Sequence, residues 1–389
     1  MRMRNKIWIL GVLILMITIS CYDDKGNYSY QDPDSVLPLE IDGLPKDTSF
    51  MLFSEVELTP KITGIENEDD FQFTWYTYQL YASGFIPQRD TLAKTKDLSF
   101  IMEYPAGNQY QLVFEAKEKK TGLAIQKKIL MRVTSEYSKG WFILEDENGM
   151  TDMDFILEDG TVRENLLTER LGERMKGEAV KLVYMNGRYT DEEVAEDGTV
   201  TILESLQALH ILTTQDMKTL NPGNLSVLKN FDEEFYNVPS VAAPQNMDAS
   251  GGDIVLINAG RLHSLYGMSN NVGKFGVGKT GPGELASDML FHAYAYTYAM
   301  LFSRETKSFV MGGSSSESDK VQEFLPEDGG KVGVSTSNMD KDLICMLQRT
   351  WASSVTKGWA LMRGINDPEK FYLADIAFSG QSYPLVDFD

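Results

Sequence analysis

The glycine-rich segment at residues 273–280 reads GKFGVGKT and matches the phosphate-binding P-loop pattern letter for letter. That loop works because a strand delivers it and a helix follows, whose first amide groups hold the phosphate. Here YGMSNN precedes the segment and Gly281-Pro282-Gly283 follows it. Neither a strand nor a helix fits these neighbours, so the sequence predicts a glycine-rich loop and no nucleotide ligand.

The stretch most suggestive of ligand binding is HAYAYTYAM at residues 292–300. Written as a single strand, it places His292, Tyr294, Tyr296 and Tyr298 on one face and small residues on the other. Flat rings with hydroxyl groups suit stacking against a sugar or a peptide. The alternative is that the same row packs against a neighbouring sheet. We predict these four residues as the ligand-binding positions.

Patterns for catalysis and metal binding are weak in this chain. Its three histidines, His210, His263 and His292, lack zincin spacing, and the sequence holds no CxxC pair or GxSxG elbow. We therefore predict no catalytic residue, no metal site and no cofactor, although a triad assembled from distant residues stays open.

One acidic stretch offers enough oxygen ligands to raise the question of calcium. It runs from Asp146 to Asp154 and includes Asn148-Gly149 between two apolar runs. Asn-Gly tolerates the positive φ angles of a tight hairpin. We predict a hairpin turn here, with calcium as the open alternative.

The N-terminus carries an export signal. Arg2, Arg4 and Lys6 precede thirteen uncharged residues, 7–19. That run is shorter than the roughly 20 apolar residues of a membrane span, and a basic head with a short apolar middle is typical of a secretory signal. We predict residues 1–20 to be a signal peptide.

Cys21 follows the apolar run directly. Ser20-Cys21 resembles the lipobox of bacterial lipoproteins, with Thr18 where that pattern usually has leucine. The resemblance implies cleavage before Cys21 and acylation of its thiol; the alternative is an ordinary signal with a chance cysteine. Asp23 and Asp24 resemble the acidic signal for the outer face of the outer membrane. The implied location is a lipid anchor at the cell surface.

The net charge of the chain limits the classes of molecule that it can bind. Without residues 1–20 the chain has 33 basic side chains (36 − 3) against 57 acidic ones, a net charge of −24. This excludes nucleic acid as a natural partner, because phosphate binding needs positive charge. Cys345, in apolar surroundings, is predicted to be buried. Residues 21–35 are predicted to form a lipidated, flexible linker.

Residues 36–136 are predicted to form a β-sandwich. Phe71, Phe73 and Trp75 alternate along one strand as core residues, and Tyr110 stands two residues before the inward Leu112. This spacing, together with CYDDKGNYSY from Cys21, resembles the PKD-like family of surface lipoproteins, which implies a PKD or immunoglobulin-like fold. Beyond the core row, Tyr76, Tyr78 and Tyr81 are left open as surface or ligand-contacting residues.

Residues 139–389 repeat an apolar strand, a polar turn and a second strand. The units begin at Trp141, Leu209, Ile254, Ala299 and Trp359, and the middle three begin 45 residues apart. This period is typical of four-stranded propeller blades. We predict an all-β chain with a β-propeller of six or seven blades, or a truncated or open ring; further sandwiches are the alternative.

Three functions compete at this stage. The family resemblance implies a non-catalytic surface lipoprotein that binds a nutrient glycan or peptide, as an accessory to an outer-membrane transporter of the starch-utilisation type. The alternatives are an extracellular hydrolase or lyase with a propeller active site, and an adhesive or structural surface protein. The expected partners are the membrane, through the lipid anchor, and a glycan or peptide ligand.

Overall fold

The computed structural model describes residues 38–80, 89–250, 253–265, 273–294, 296–313, 319–323, 335–348, 355–379 and 385–388. Strands dominate these residues, which confirms the prediction of an all-β chain, and a single six-residue α-helix lies among them. In the part described, no helix has the length and apolar content needed to cross a membrane. The predicted signal peptide, Cys21 and the linker lie outside the described residues.

Nine strands build the N-terminal unit: β1 (Glu40–Asp42), β2 (Asp47–Met51), β3 (Glu55–Leu58), β4 (Lys61–Thr63), β5 (Phe71–Gln79), β6 (Asp90–Ala93), β7 (Leu98–Ile101), β8 (Gln109–Glu118) and β9 (Ala124–Thr134). The main sheet has the order β2-β9-β8-β5-β6, and β1-β4 and β3-β7 form two small sheets. All three sheets contribute to one hydrophobic core.

The core of this unit follows the predicted alternation. Phe71, Phe73 and Trp75 are buried, and the Trp75 ring lies 4.8 Å from that of Phe114. The Tyr110 hydroxyl donates to the Pro105 carbonyl at 3.2 Å, which ties the start of β8 to the preceding turn. Tyr76 is also buried and Tyr78 is half-buried, while Tyr81 lies outside the described residues.

The described residues after β9 form five sheets in chain order. The first sheet contains β10 (Gly140–Glu147), β11 (Met150–Leu157), β12 (Val162–Arg163) and β13 (Met175–Lys176); the second contains β14 (Ala179–Val194), β15 (Val200–Thr213), β16 (Met217–Leu220) and β17 (Val227–Asn230). The third contains β18 (Pro244–Ser250), β19 (Asp253–Asn258) and β20 (Arg261–Leu265).

The fourth sheet contains β21 (Leu290–Tyr294), β22 (Tyr296–Ser303), β23 (Ser308–Gly313) and β24 (Gln322–Glu323); the fifth contains β25 (Lys341–Gln348), β26 (Val355–Gly364), β27 (Phe371–Ser379) and β28 (Leu385–Phe388). In each of the last four sheets, strands adjacent in sequence pair antiparallel in the order in which they occur. In the first sheet, β12 and β13 both pair with β11.

Successive sheets pack face to face. Alternation along β19 shows this directly: Ile254 and Leu256 point into a core shared with the second sheet, whereas Val255 and Ile257 point into one shared with the fourth. Two further cores join the first sheet to the second and the fourth to the fifth. The five sheets therefore form a continuous row, and each internal sheet is covered on both faces.

The acidic stretch at residues 146–154 forms a hairpin turn, as predicted. Asn148 and Gly149 have φ angles of 54° and 73° between the paired strands β10 and β11. The buried carboxylate of Asp152 accepts from the backbone amide of Leu167 at 2.9 Å and from the Thr168 hydroxyl at 2.6 Å. It thereby anchors the start of helix α1 (Leu166–Leu171), because the first amides of a helix lack partners within it.

Asp154 accepts from the backbone amide of Asn165, just before helix α1, at 2.9 Å. Two of the acidic residues in the calcium alternative, Asp152 and Asp154, therefore bind the start of the helix and the residue before it. Among the described residues, no cluster of three or more histidine, cysteine or acidic side chains is arranged to hold a metal ion.

Candidate functional site

The tyrosine-rich stretch is a hairpin, and the prediction of a single strand was wrong. The chain reverses between β21 and β22, and the register sets His292 opposite Tyr298 and Tyr294 opposite Tyr296. The reversal also pairs Leu290 with Met300, which are both fully buried in the core shared with the fifth sheet. The side chains of the four predicted ligand residues, and all of residue 295, lie outside the described part of the chain.

The glycine-rich segment is a packed, extended connection instead of a free loop. Phe275 is fully buried and bridges in parallel to Phe235, and its amide donates to the Glu234 carbonyl at 2.7 Å. Further along, Thr280 bridges to Lys320. No helix occurs within residues 273–294, so the helix that a P-loop needs directly after it is missing from this described stretch.

Cys345 is only half-buried, on the first strand of the fifth sheet. The prediction of a buried cysteine therefore holds in part. The bulge in the β25–β26 pairing between Leu343 and Cys345 shifts the alternation of this strand, which the sequence pattern did not reveal.

A group of buried polar and titratable side chains lies between the second and third sheets. We call it the buried polar cluster; its members are Tyr189, Asp191, His210, Thr219, Lys229 and Glu234. Each has a relative exposure of 7% or less. Buried polar groups are costly unless they bond to one another, so their arrangement is a strong constraint on the fold.

A hydrogen-bonded chain crosses this cluster. The Thr219 hydroxyl donates to Oε1 of Glu234, and its oxygen lies 2.7 Å from Nδ1 of His210. The tautomer of His210 decides which of Nδ1 and the Thr219 hydroxyl donates in this contact. Nε2 of His210 lies 3.4 Å from the Met185 sulfur.

Burial shifts the pKa values of Glu234 and His210, the two ends of this hydrogen-bonded series, in opposite directions. Removal from water raises the pKa of Glu234 to about 8, and only partial relief comes from Thr219 and Lys229. Removal from water lowers the pKa of His210 to about 3, and the nearby Lys229 charge acts in the same direction. At neutral pH both side chains are therefore uncharged, and Glu234 carries a proton.

An ion pair completes the cluster. Lys229 donates through Nζ to the carboxylate of Asp191, and the same Nζ lies 5.4 Å from the centre of the Tyr189 ring. Among the described residues, the Tyr189 hydroxyl and Oε2 of Glu234 have no hydrogen-bond partner. Gly273 packs against Tyr189 so closely that a β-carbon on Gly273 would lie 2.8 Å from the Tyr189 ring. The cluster is therefore sealed inside the core.

Sequence reasoning noted His210 only as one of three scattered histidines and missed the cluster. Its members come from four segments between residues 189 and 234, so no local spacing reveals them. One signal was available: His210 interrupts the apolar alternation of LQALHILT, at a position where a strand buried on both faces places a core side chain.

Comparison with known proteins identifies a family match in the N-terminal part of the chain. Residues 21–179 match the model of the PKD-like family, so this part contains a PKD-like domain. No curated protein matches the chain. A crystal structure of a quinonprotein alcohol dehydrogenase-like protein from Bacteroides thetaiotaomicron VPI-5482 is 8% identical, covers 88% of this chain and 94% of that chain, and has a TM-score of 0.24. A similarity this low carries no argument about fold or activity.

Proposed function

We propose that this chain is a lipid-anchored protein of the outer-membrane surface that binds an extracellular glycan or peptide without transforming it, as an accessory to an outer-membrane importer. The observation that carries the binding role is the register of the β21–β22 hairpin. It sets one histidine and three tyrosine positions in two cross-strand pairs, with the Ala293–Thr297 pair between them. Cross-strand pairs of this kind bring side chains close enough to form one contact surface.

The burial of His210 and Glu234, whose pKa values are strongly shifted, supports a binding role over a catalytic one. His210 and Glu234 have strongly shifted pKa values, which is often a mark of an active site. Both are fully buried between two sheets, where an extracellular substrate does not reach them. In this proposal they stabilise the fold and take no part in chemistry.

The sheet row supports a propeller-like architecture for the binding region. Its five sheets pack face to face in chain order, and four of them are simple antiparallel meanders. We propose that they are blades of a β-propeller-like domain and that the N-terminal unit is a PKD-type, immunoglobulin-like sandwich holding this domain away from the membrane.

The match to the PKD-like family supports the proposed anchor. It begins at residue 21, which is Cys21, the residue predicted to become the acylated first residue of the mature chain. The family match therefore begins where the signal is expected to end.

We expect saturable ligand binding by the soluble form, residues 22–389, in a screen of polysaccharides and peptides by affinity electrophoresis and calorimetry. Tyr294→Ala/Tyr296→Ala should weaken the ligand found by about 10- to 100-fold, because each stacked ring contributes about 1 kcal/mol. Tyr236→Ala is the matched control, since Tyr236 is 56% exposed and lies outside the hairpin. Unchanged affinity in the double variant would refute the assignment, and turnover of the ligand would favour a hydrolase or lyase.

A further inference from the structure

In the part of the chain that the structure describes, the first sheet of the row has an unpaired edge. Its strand order begins with the eight-residue β10, and among the described residues no strand pairs with the other side of β10. A free edge presents unpaired amide and carbonyl groups that can accept another strand.

Contacts at the turns show which strand of the other sheets corresponds to β10. The amide of Gly177 donates to the Gly149 carbonyl at 2.8 Å, and a β-carbon on Gly177 would lie 2.7 Å from the amide nitrogen of Gln215. Gly177 thus sits between the β10–β11 turn and the β15–β16 turn. By this alignment β10 corresponds to β15, the second strand of its sheet, and no described strand of the first sheet is a counterpart of β14.

Strand directions agree with this alignment. The amide of Ala179, where β14 begins, donates to Asp146 near the end of β10 at 3.3 Å. The start of β14 therefore lies beside the end of β10, as it would if the two strands ran in opposite directions. The start of β14 also lies beside the start of β18, where Lys181 and Asn246 are joined by a 3.1 Å hydrogen bond.

The sequence repeat gives the same answer independently. Its units begin in β15, β19, β22 and β26, which are the second strands of their sheets. The unit at Trp141 begins in β10, the first strand of its sheet. The repeat and the turn contacts both place β10 in the second position.

Apolar side chains are left open around this edge. Tyr184 of β14 is 53% exposed, although its neighbour Leu182, two residues away on the same face, contributes to the core shared with the first sheet. Phe142 and Leu144 of β10 are only half-buried on the facing side. A strand added along β10 would cover these side chains.

The charge along β10 indicates the chemistry of that strand. Glu145, Asp146 and Glu147 close the strand. Arg174 reaches Glu145 at 3.5 Å and Glu147 at 3.7 Å. Three acids against one base leave this end of the edge negative, so it favours basic residues in a bound strand.

We propose that the free edge of β10 binds an extended peptide from another protein by β-strand addition, antiparallel to β10. Alternate apolar residues of the peptide cover Phe142, Leu144 and Tyr184. Basic residues in its N-terminal half face the Glu145–Glu147 end, since antiparallel pairing brings that half there. This site lies on the first sheet, so its test is independent of the hairpin in the fourth.

The test uses a synthetic ten-residue peptide with valine at every second position and two lysines among the others in its N-terminal half. Fluorescence anisotropy measures its binding to residues 22–389, and hydrogen-exchange mass spectrometry follows the amides of residues 140–147. We expect saturable binding that slows exchange in this strand. Tyr184→Ala should weaken binding at least about tenfold, and Tyr236→Ala, the matched exposed tyrosine, should leave it unchanged.

A charge exchange protects the test against a variant that fails to fold. Glu145→Lys/Glu147→Lys should lose affinity for the lysine peptide and gain affinity for the same peptide with glutamate in place of lysine. Absence of binding, equal binding by Tyr184→Ala, or protection outside residues 140–147 would overturn the proposal. Self-association that protects β10 without peptide would overturn it too, because the edge would then belong to a second copy.

Discussion

Lys229→Met is expected to lower the free energy of unfolding by about 3 to 5 kcal/mol, because it leaves the buried Asp191 carboxylate without its partner. The two side chains of this pair are only 4% and 10% exposed, so water cannot replace the lost ammonium group. Denaturant unfolding of residues 22–389, with the midpoint and slope compared between variants, measures the effect.

Two further variants serve as controls for the Lys229→Met measurement. Lys229→Met/Asp191→Leu removes both charges and should recover most of the loss. Lys274→Met breaks a pair with Glu192 at 2.8 Å in which the side chains are 25% and 28% exposed, and it should cost about 1 kcal/mol because water still reaches this pair. If Lys229→Met behaved like Lys274→Met, the pair would not be buried in the way the structure has it.

The effect of Glu234→Gln on the free energy of unfolding is expected to be about 3 kcal/mol more favourable at pH 7 than at pH 4. Burial raises the pKa of Glu234 from its ordinary value of 4.5 to about 8. The folded chain therefore keeps a proton that the unfolded chain releases, and the contribution of Glu234 to stability is present below pH 4.5 and is lost as pH rises toward 8. Glutamine, which does not titrate, lacks this loss.

Unfolding free energies from pH 4 to 8.5 test this expectation. The difference between Glu234→Gln and the unmodified chain should grow steadily between pH 4.5 and 8; a constant difference would contradict a neutral, buried Glu234. His210 acts at the other end of the range. Its pKa is lowered from 6.5 to about 3, so its contribution is present above pH 6.5 and is lost as pH falls. Glu233→Gln, on the exposed neighbouring residue, is the control, since it should not reproduce the rise.

Much of the fold could be predicted because it depends on local alternation. Phe71, Phe73 and Trp75 repeat with the period of a strand and are core residues. Asn148-Gly149 has the conformational freedom that a tight hairpin needs, and it forms one. The 45-residue repeat placed its units on equivalent strands of successive sheets, because each sheet buries the same apolar pattern against the next.

The candidate site was less accessible to sequence reasoning, for two physical reasons. The buried polar cluster is assembled across strands, and its charges are compensated by residues tens of positions away, such as Asp191 with Lys229. The tyrosine stretch reverses direction without glycine, proline, asparagine or aspartate to mark a turn. An alternating strand and a tight hairpin give the same periodicity here, and the cross-strand pairs from Leu290–Met300 to Tyr294–Tyr296 distinguish them.

The proposed function depends most on the acylation of Cys21, which would become the first residue of the mature chain and anchor it at the cell surface. Metabolic labelling of growing cells with a clickable palmitate analogue, read by in-gel fluorescence, tests it directly in the unmodified protein and in Cys21→Ser. The account predicts label on the unmodified chain and none on Cys21→Ser. An unlabelled natural chain, or equal label on both, would contradict it.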